Sequence, residues 1–258
     1  MGSPRTSAGP QASSLKPPML YALHGFTETD ESWAETLARD IPGLRCPLLP
    51  GHGGKPCPAS FGWSRMVDDL AASLPGEPVD LLGYSMGGRI ALNLALAHPQ
   101  RIRRLILVSC HPGIRDPAER ALRRQRDESL AQVLEEDGIG PFMAWWETQR
   151  ALRPYEPFPA AVAESVRARR LNQDPIGLAG CLRALGGGAM EPVWNRLGEL
   201  KMPVLLISGA ADARYMRIMD EMAATIPDHR REIVLRSGHA VHRERPQVVA
   251  QMVGAFLV

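Results

Sequence analysis

No run in the 258-residue sequence approaches the roughly 18 consecutive apolar residues that a membrane-spanning helix needs. No signal-peptide pattern opens the chain either. Cysteine is sparse: Cys46, Cys57, Cys110 and Cys181 are scattered and form no C-x-x-C pair. That spacing excludes a disulfide frame or a thiolate metal cluster and predicts reduced thiols in a cytoplasmic protein. Lysine occurs only at Lys16, Lys55 and Lys201, so nearly all positive charge is arginine. The formal net charge is only +2, too small an excess for a protein whose binding energy comes from phosphate contacts. Internal repeats are absent, as are motifs for a metal, a nucleotide or a flavin, so no cofactor is expected.

The chain is long enough for one large α/β domain, and its 45% hydrophobic and 22% charged residues are ordinary for a globular protein. Residues 1–16 are small, polar and rich in proline and glycine, and are expected to be unstructured. Short apolar runs at Met19–Leu23, Leu44–Leu49, Val79–Leu82, Leu105–Val108, Pro203–Ser208 and Glu232–Leu235 read as strands. Helical patterns over Glu31–Arg39 and Trp63–Leu74, and from Ile90 to Leu96, alternate with them. Strands alternating with helices predict a mostly parallel sheet covered on both faces. Between His111 and about Leu200 the strand-like runs stop and charged helical stretches take over. That change divides the chain into a core, 17–110 with 201–258, and a helical cap inserted at 111–200.

The centre of the pattern is Gly83-Tyr84-Ser85-Met86-Gly87, with an apolar strand before it and an unbroken helix after it. This is the G-x-S-x-G arrangement that holds a serine at a tight strand-to-helix turn, where glycines are needed because backbone passes close by. The helix that follows aims N–H groups at a developing oxyanion. A serine in that role needs a histidine to move its proton and an acid to hold the histidine. Downstream, one strand runs into Gly209-Ala210-Ala211-Asp212 and the next into Arg236-Ser237-Gly238-His239. Ser85, Asp212 and His239 are therefore the expected catalytic triad, with His242 the weaker competitor because it does not follow strand and glycine directly. His24-Gly25-Phe26 after the first strand is expected to supply an oxyanion-hole N–H from Phe26, with a second from Met86. His24 itself reads as satisfying loop backbone, and His52, His98, His111 and His229 as loop or surface residues.

These motifs identify the chain as resembling the α/β-hydrolase fold, with its cap inserted after the sixth strand. Narrower ones resemble the 2-succinyl-6-hydroxy-2,4-cyclohexadiene-1-carboxylate synthases of menaquinone biosynthesis within that fold. They include the elbow closed by Arg89, His111-Pro112-Gly113-Ile114, Trp145-Trp146-Glu147, Arg170-Leu171-Asn172-Gln173 and His239-Ala240-Val241-His242-Arg243-Glu244. The resemblance implies a lyase that eliminates pyruvate from a polycarboxylate, with the serine as base. It also implies that Arg89, Arg123 and Arg170 bind carboxylates while Tyr84 and Trp145 line the pocket. Arginine forks suit that task, being bidentate and permanently charged. Arg120 and Arg124 read instead as a solvated helical face. The chain departs from the family at Thr148-Gln149-Arg150-Ala151-Leu152 and at Arg214-Tyr215, where lysine and phenylalanine are usual. The alternative reading is a carboxylic-ester hydrolase with Ser85 as nucleophile. Under either reading the partner is a small-molecule carboxylate, with neither nucleic acid nor membrane, and the protein is a monomer or homo-oligomer.

Overall fold

The computed structural model describes residues 19–58, 60–149 and 152–258. Segment 1–16, expected to be unstructured, lies outside them, as do Arg150 and Ala151 of the segment that departs from the synthase pattern. Strands β1 (Leu20–Leu23), β2 (Val79–Tyr84), β3 (Ile102–Val108), β4 (Val204–Gly209) and β5 (His229–Val234) lie in that order across one sheet. Every neighbouring pair is parallel.

All residues of β2 and β4 are buried, as a sheet covered on both faces requires. Side chains alternate along a strand, so the two faces collect different residues. Leu81, Leu105, Leu107 and Leu206 join a core built with α2 (Trp63–Ser73), α3 (Met86–Ala97) and α8 (Ala213–Ala223). Leu82, Ile106, Val108, Leu205 and Ile207 pack on the opposite side with α1 (Glu31–Thr36), α9 (Val241–Glu244) and α10 (Pro246–Leu257).

Two expected strands are corrected. Leu44–Leu49 contributes a single bridge, Arg45 to Tyr21, with its N–H and C=O bonded to Leu20 and Ala22 at 2.8 Å each. Pro47 follows two residues later and has no N–H, so the ladder stops there. The last strand begins at His229 rather than Glu232. Its first residues are charged and exposed, which suits a sheet edge but hides the strand from a hydrophobicity pattern. The first helix is also shorter than expected, ending at Thr36.

Between β3 and β4 lie α4 (Pro117–Glu136), α5 (Ile139–Trp146), α6 (Ala160–Leu171) and α7 (Pro175–Leu185). The insertion thus follows the third strand among the described residues, where the family resemblance implies a sixth. Asp116 and Asp174 cap α4 and α7 with their carboxylates, each followed by proline at the first helical position. Leu134, Phe142, Met143 and Leu178 give these helices a small core of their own. Cys181 and Leu185 join the main core instead, which anchors the insertion over the sheet. Among the described residues no helix is long and apolar enough to cross a membrane.

Candidate active site

Ser85 ends β2 and begins α3 with φ +52° and ψ −107°, a conformation that L-residues rarely adopt. Backbone bonds on both sides hold it there: Ser85 N–H donates to Val108 O at 2.9 Å, and its carbonyl accepts from Arg89 N–H at 3.1 Å. The flanking glycines are steric requirements. A Cβ at Gly83 would lie 2.7 Å from Gly88 Cα, and one at Gly87 would lie 2.6 Å from the His24 carbonyl oxygen. Both obstacles are backbone and cannot rotate away. Gly87→Ala is therefore expected to lower the melting temperature sharply or abolish soluble expression. A thermal melt within a degree or two of wild type would show that the turn can relax.

Ser85, Asp212 and His239 each stand just beyond the C-terminal end of a parallel strand, which is why residues so distant in sequence converge. His239 Nε2 lies 3.1 Å from Ser85 Oγ, and Nδ1 lies 2.8 Å from Asp212 Oδ2. The carboxylate can only accept, so Nδ1 carries the proton and the Nε2 lone pair faces the hydroxyl. Asp212 Oδ1 accepts from Tyr215 N–H at 3.2 Å, so the same carboxylate caps α8.

These three residues open onto a cavity of about 800 Å³ whose lining includes Phe26, Met86, Tyr84, Arg89, Arg123, Trp145 and Arg170. Every site residue read from the sequence is thus brought to one place. The arginines are held differently. Arg89 is 7% exposed; its Nη1 donates to the Leu185 carbonyl at 3.0 Å, and its guanidinium sits 5.4 Å from the Trp63 ring. It has no carboxylate partner among the described residues. Burial, reinforced by Arg123, pushes its pKa down from the usual value. Arg123, by contrast, gives Nε to Asp127 at 2.8 Å. Arg170 Nη1 lies 3.7 Å from Glu147 Oε1, and its Nε is buried without a hydrogen-bond partner among the described residues. Arg120 stays at the surface, bonded to Glu191.

His24 behaves as expected, with Nδ1 against the Gly25 carbonyl and Nε2 accepting from Leu49 N–H at 3.1 Å. His242 is fully buried between Trp33 and Tyr84, with ring centroids 4.6 and 4.3 Å away, and its Nε2 lies 3.5 Å from Glu28. His52 and His111 lie in loops, one of the two places expected for them, but neither is at the surface. His52 is buried, accepting from Thr27 N–H at 3.2 Å, and desolvation drives its pKa down to about 3. His111 is also buried and lines the cavity. Burial first, then the charges of Arg89, Arg123 and Arg214, keeps it neutral, and its Nδ1 accepts from Gly113 N–H at 3.0 Å.

Arg126 and Glu28 also line the cavity, as do Arg214 and Tyr215, which the sequence marks only as a departure from the synthase pattern. Some signals for them were present. His111 follows β3 at the same sheet edge as Ser85 and His239, Arg126 lies about one turn beyond Arg123, and Tyr215 is the capped residue after Asp212. Glu28 carried none, since only the fold brings Arg243 to it at 2.8 Å. Although burial alone would raise the Glu28 pKa, Arg243 and His242 hold it well below the carboxylate range. With that carboxylate paired to Arg243, the cavity lining carries more arginine than unpaired acid, so its net charge is positive. Among the described residues no group of three or more His, Cys, Asp or Glu side chains is placed to hold a metal ion.

The sequence pattern of the alpha/beta hydrolase family matches residues 20–252. A Bacillus subtilis (strain 168) protein provisionally named as a 2-succinyl-6-hydroxy-2,4-cyclohexadiene-1-carboxylate synthase is 35% identical over 257 residues, covering 96% of this chain and 92% of that protein. The synthase of that name from Klebsiella pneumoniae (strain 342) is 30% identical over 244 residues, covering 93% and 94%. The solved structure of MenH from S. aureus matches with a TM-score of 0.89 at 30% identity over 95% of each chain.

Proposed function

The chain belongs to the alpha/beta hydrolase family, and on that premise we propose that it eliminates pyruvate from a polycarboxylate cyclohexene intermediate of menaquinone biosynthesis. The product would be 2-succinyl-6-hydroxy-2,4-cyclohexadiene-1-carboxylate, as the names of its relatives specify for them. The observation that carries this reading is Arg89. A buried guanidinium without a carboxylate partner among the described residues, one helical turn beyond Ser85 in a positive cavity, is matched to an anionic group of the substrate held beside the serine.

In this mechanism Ser85 Oγ removes a carbon-bound proton of the substrate while its own proton passes to His239 Nε2. The C–H electron pair becomes a new C=C bond, the C–O bond to the three-carbon side group breaks, and that group departs with the electron pair. It takes up a proton and is released as pyruvate. Asp212 stabilises the imidazolium that forms between the two transfers. The N–H groups of Phe26 and Met86 would hold the oxygen on which enolate charge collects. Arg123 and Arg170 would bind further carboxylates, with Tyr84 and Trp145 shaping the pocket around the ring.

The competing reading is ester hydrolysis with Ser85 as nucleophile, which the 3.1 Å contact to His239 serves equally well. The two differ in the intermediate. Elimination leaves no covalent adduct, whereas hydrolysis passes through an acyl-enzyme with a burst of the first product. Mass spectrometry of enzyme quenched during turnover is expected to show an unmodified Ser85 peptide while pyruvate accumulates. An acyl mass on that peptide would favour the esterase.

A further inference from the structure

Glu244, the last residue of α9, is almost fully buried and belongs to none of the chemistry above. One of its oxygens, Oε2, accepts two backbone bonds from segments far apart in the chain. Gly238 N–H donates to it at 2.9 Å, and Tyr155 N–H donates at 2.7 Å. Oε1 is buried with no hydrogen-bond partner among the described residues. Gly238 immediately precedes His239. Tyr155 lies in the segment between α5 and α6, where Arg153, Pro154 and Tyr155 line the cavity together with Gly238 and His239. The two segments touch elsewhere too: a Cβ on Gly238 would stand 3.4 Å from the Arg153 carbonyl oxygen, and Glu156 pairs with Arg236 and Arg245.

The loop that carries His239 needs such an anchor. Arg236 adopts φ +53°, a strained conformation for a residue with a long side chain. The backbone is bonded before Gly238, where Ser237 Oγ donates to the Val234 carbonyl and Ala211 N–H to the Ser237 carbonyl, and after His239, where the Ala240 carbonyl accepts from Arg243 and Glu244 N–H, and the Gly238 N–H between them goes to Glu244. A buried carboxylate receiving two charge-assisted bonds is a strong clamp, and its location makes it costly to break.

We infer that Glu244 is a positioning residue that clamps the backbone beside His239 to the wall segment 153–155 of the cavity. The placement of the imidazole against Ser85 then depends on that wall being seated. The inference rests on the reading of Ser85 and His239 as the reacting pair, but not on which reaction they perform. Glu244→Ala is expected to lower kcat about ten- to a hundredfold, as displacements near 1 Å do, with a smaller change in KM. Glu244→Gln keeps a side-chain oxygen able to accept both bonds and is expected to restore most of the rate. Amide hydrogen exchange should show Gly238 and Tyr155 protected in wild type and in Glu244→Gln, and both faster in Glu244→Ala.

The exchange measurement needs no substrate, and kcat can be read on pyruvate release or on a small activated ester. A failure of the elimination reading therefore leaves this test intact. Wild-type Gly238 and Tyr155 amides exchanging as fast as exposed ones would overturn the clamp, even if Glu244→Ala does not fold. So would a kcat for Glu244→Ala close to wild type, or a Glu244→Gln variant as slow as Glu244→Ala.

Discussion

Ser85→Ala is expected to fold like the parent and to lose nearly all activity. Among the described residues the hydroxyl makes one side-chain bond, to His239, so its removal costs stability by about 1 kcal/mol or less. The backbone strain at φ +52° is equal for serine and alanine. The rate loss has a scale set by the role. General-base catalysis contributes about a hundred- to ten-thousandfold, and the groups of a triad act as a unit, so His239→Ala is expected to cost about as much. Circular dichroism and a thermal melt check the fold, and a lactate dehydrogenase-coupled assay of pyruvate release checks the rate. Either variant retaining activity within about tenfold of wild type would remove the pair from the chemistry.

Arg89→Ala is expected to lower kcat/KM for the polycarboxylate by about ten- to a hundredfold, the equivalent of one charge-assisted hydrogen bond of about 1.5–3 kcal/mol. The structure ranks Arg89 above its two companions. Arg123 already gives a nitrogen to Asp127, and Arg170 lies near Glu147, whereas Arg89 is buried against a carbonyl and an aromatic ring, with no carboxylate partner among the described residues. Arg123→Ala and Arg170→Ala should therefore cost less. Arg89→Lys should recover only part of the loss, because an ammonium cannot reproduce a two-pronged fork. Hydrolysis of a neutral ester should be almost unchanged, since it offers no carboxylate. Equal losses on both substrates would instead assign Arg89 to holding α3 against Leu185.

The features legible in the sequence share a physical basis: their causes are local. A serine between two glycines, preceded by an apolar run and followed by helix formers, has few other turns available to it. The spacing from strand end to Asp212 and to His239 follows from parallel strands delivering their C-terminal ends to one edge. Features that escaped the pattern answer to neighbours distant in the chain. The polar start of β5 is a strand because β4 offers it a ladder, and Leu44–Leu49 is not one because Pro47 cannot donate. His111 and His52 carry no local mark of burial, yet desolvation makes both neutral.

The sequence by itself determined the elbow at Ser85, the order of serine, acid and histidine, and the arginine set that a family resemblance could name. Only the tertiary structure decided which of those charges are free. Asp127 engages Arg123, Arg243 neutralises Glu28, and Arg89 is left with the carbonyl of Leu185, 96 residues away. A carboxylate that is partnered and one that is not look identical in a sequence. What separates them is burial and the pairing that burial enforces, and both exist only once β2, β4 and the inserted helices have closed around the same cavity.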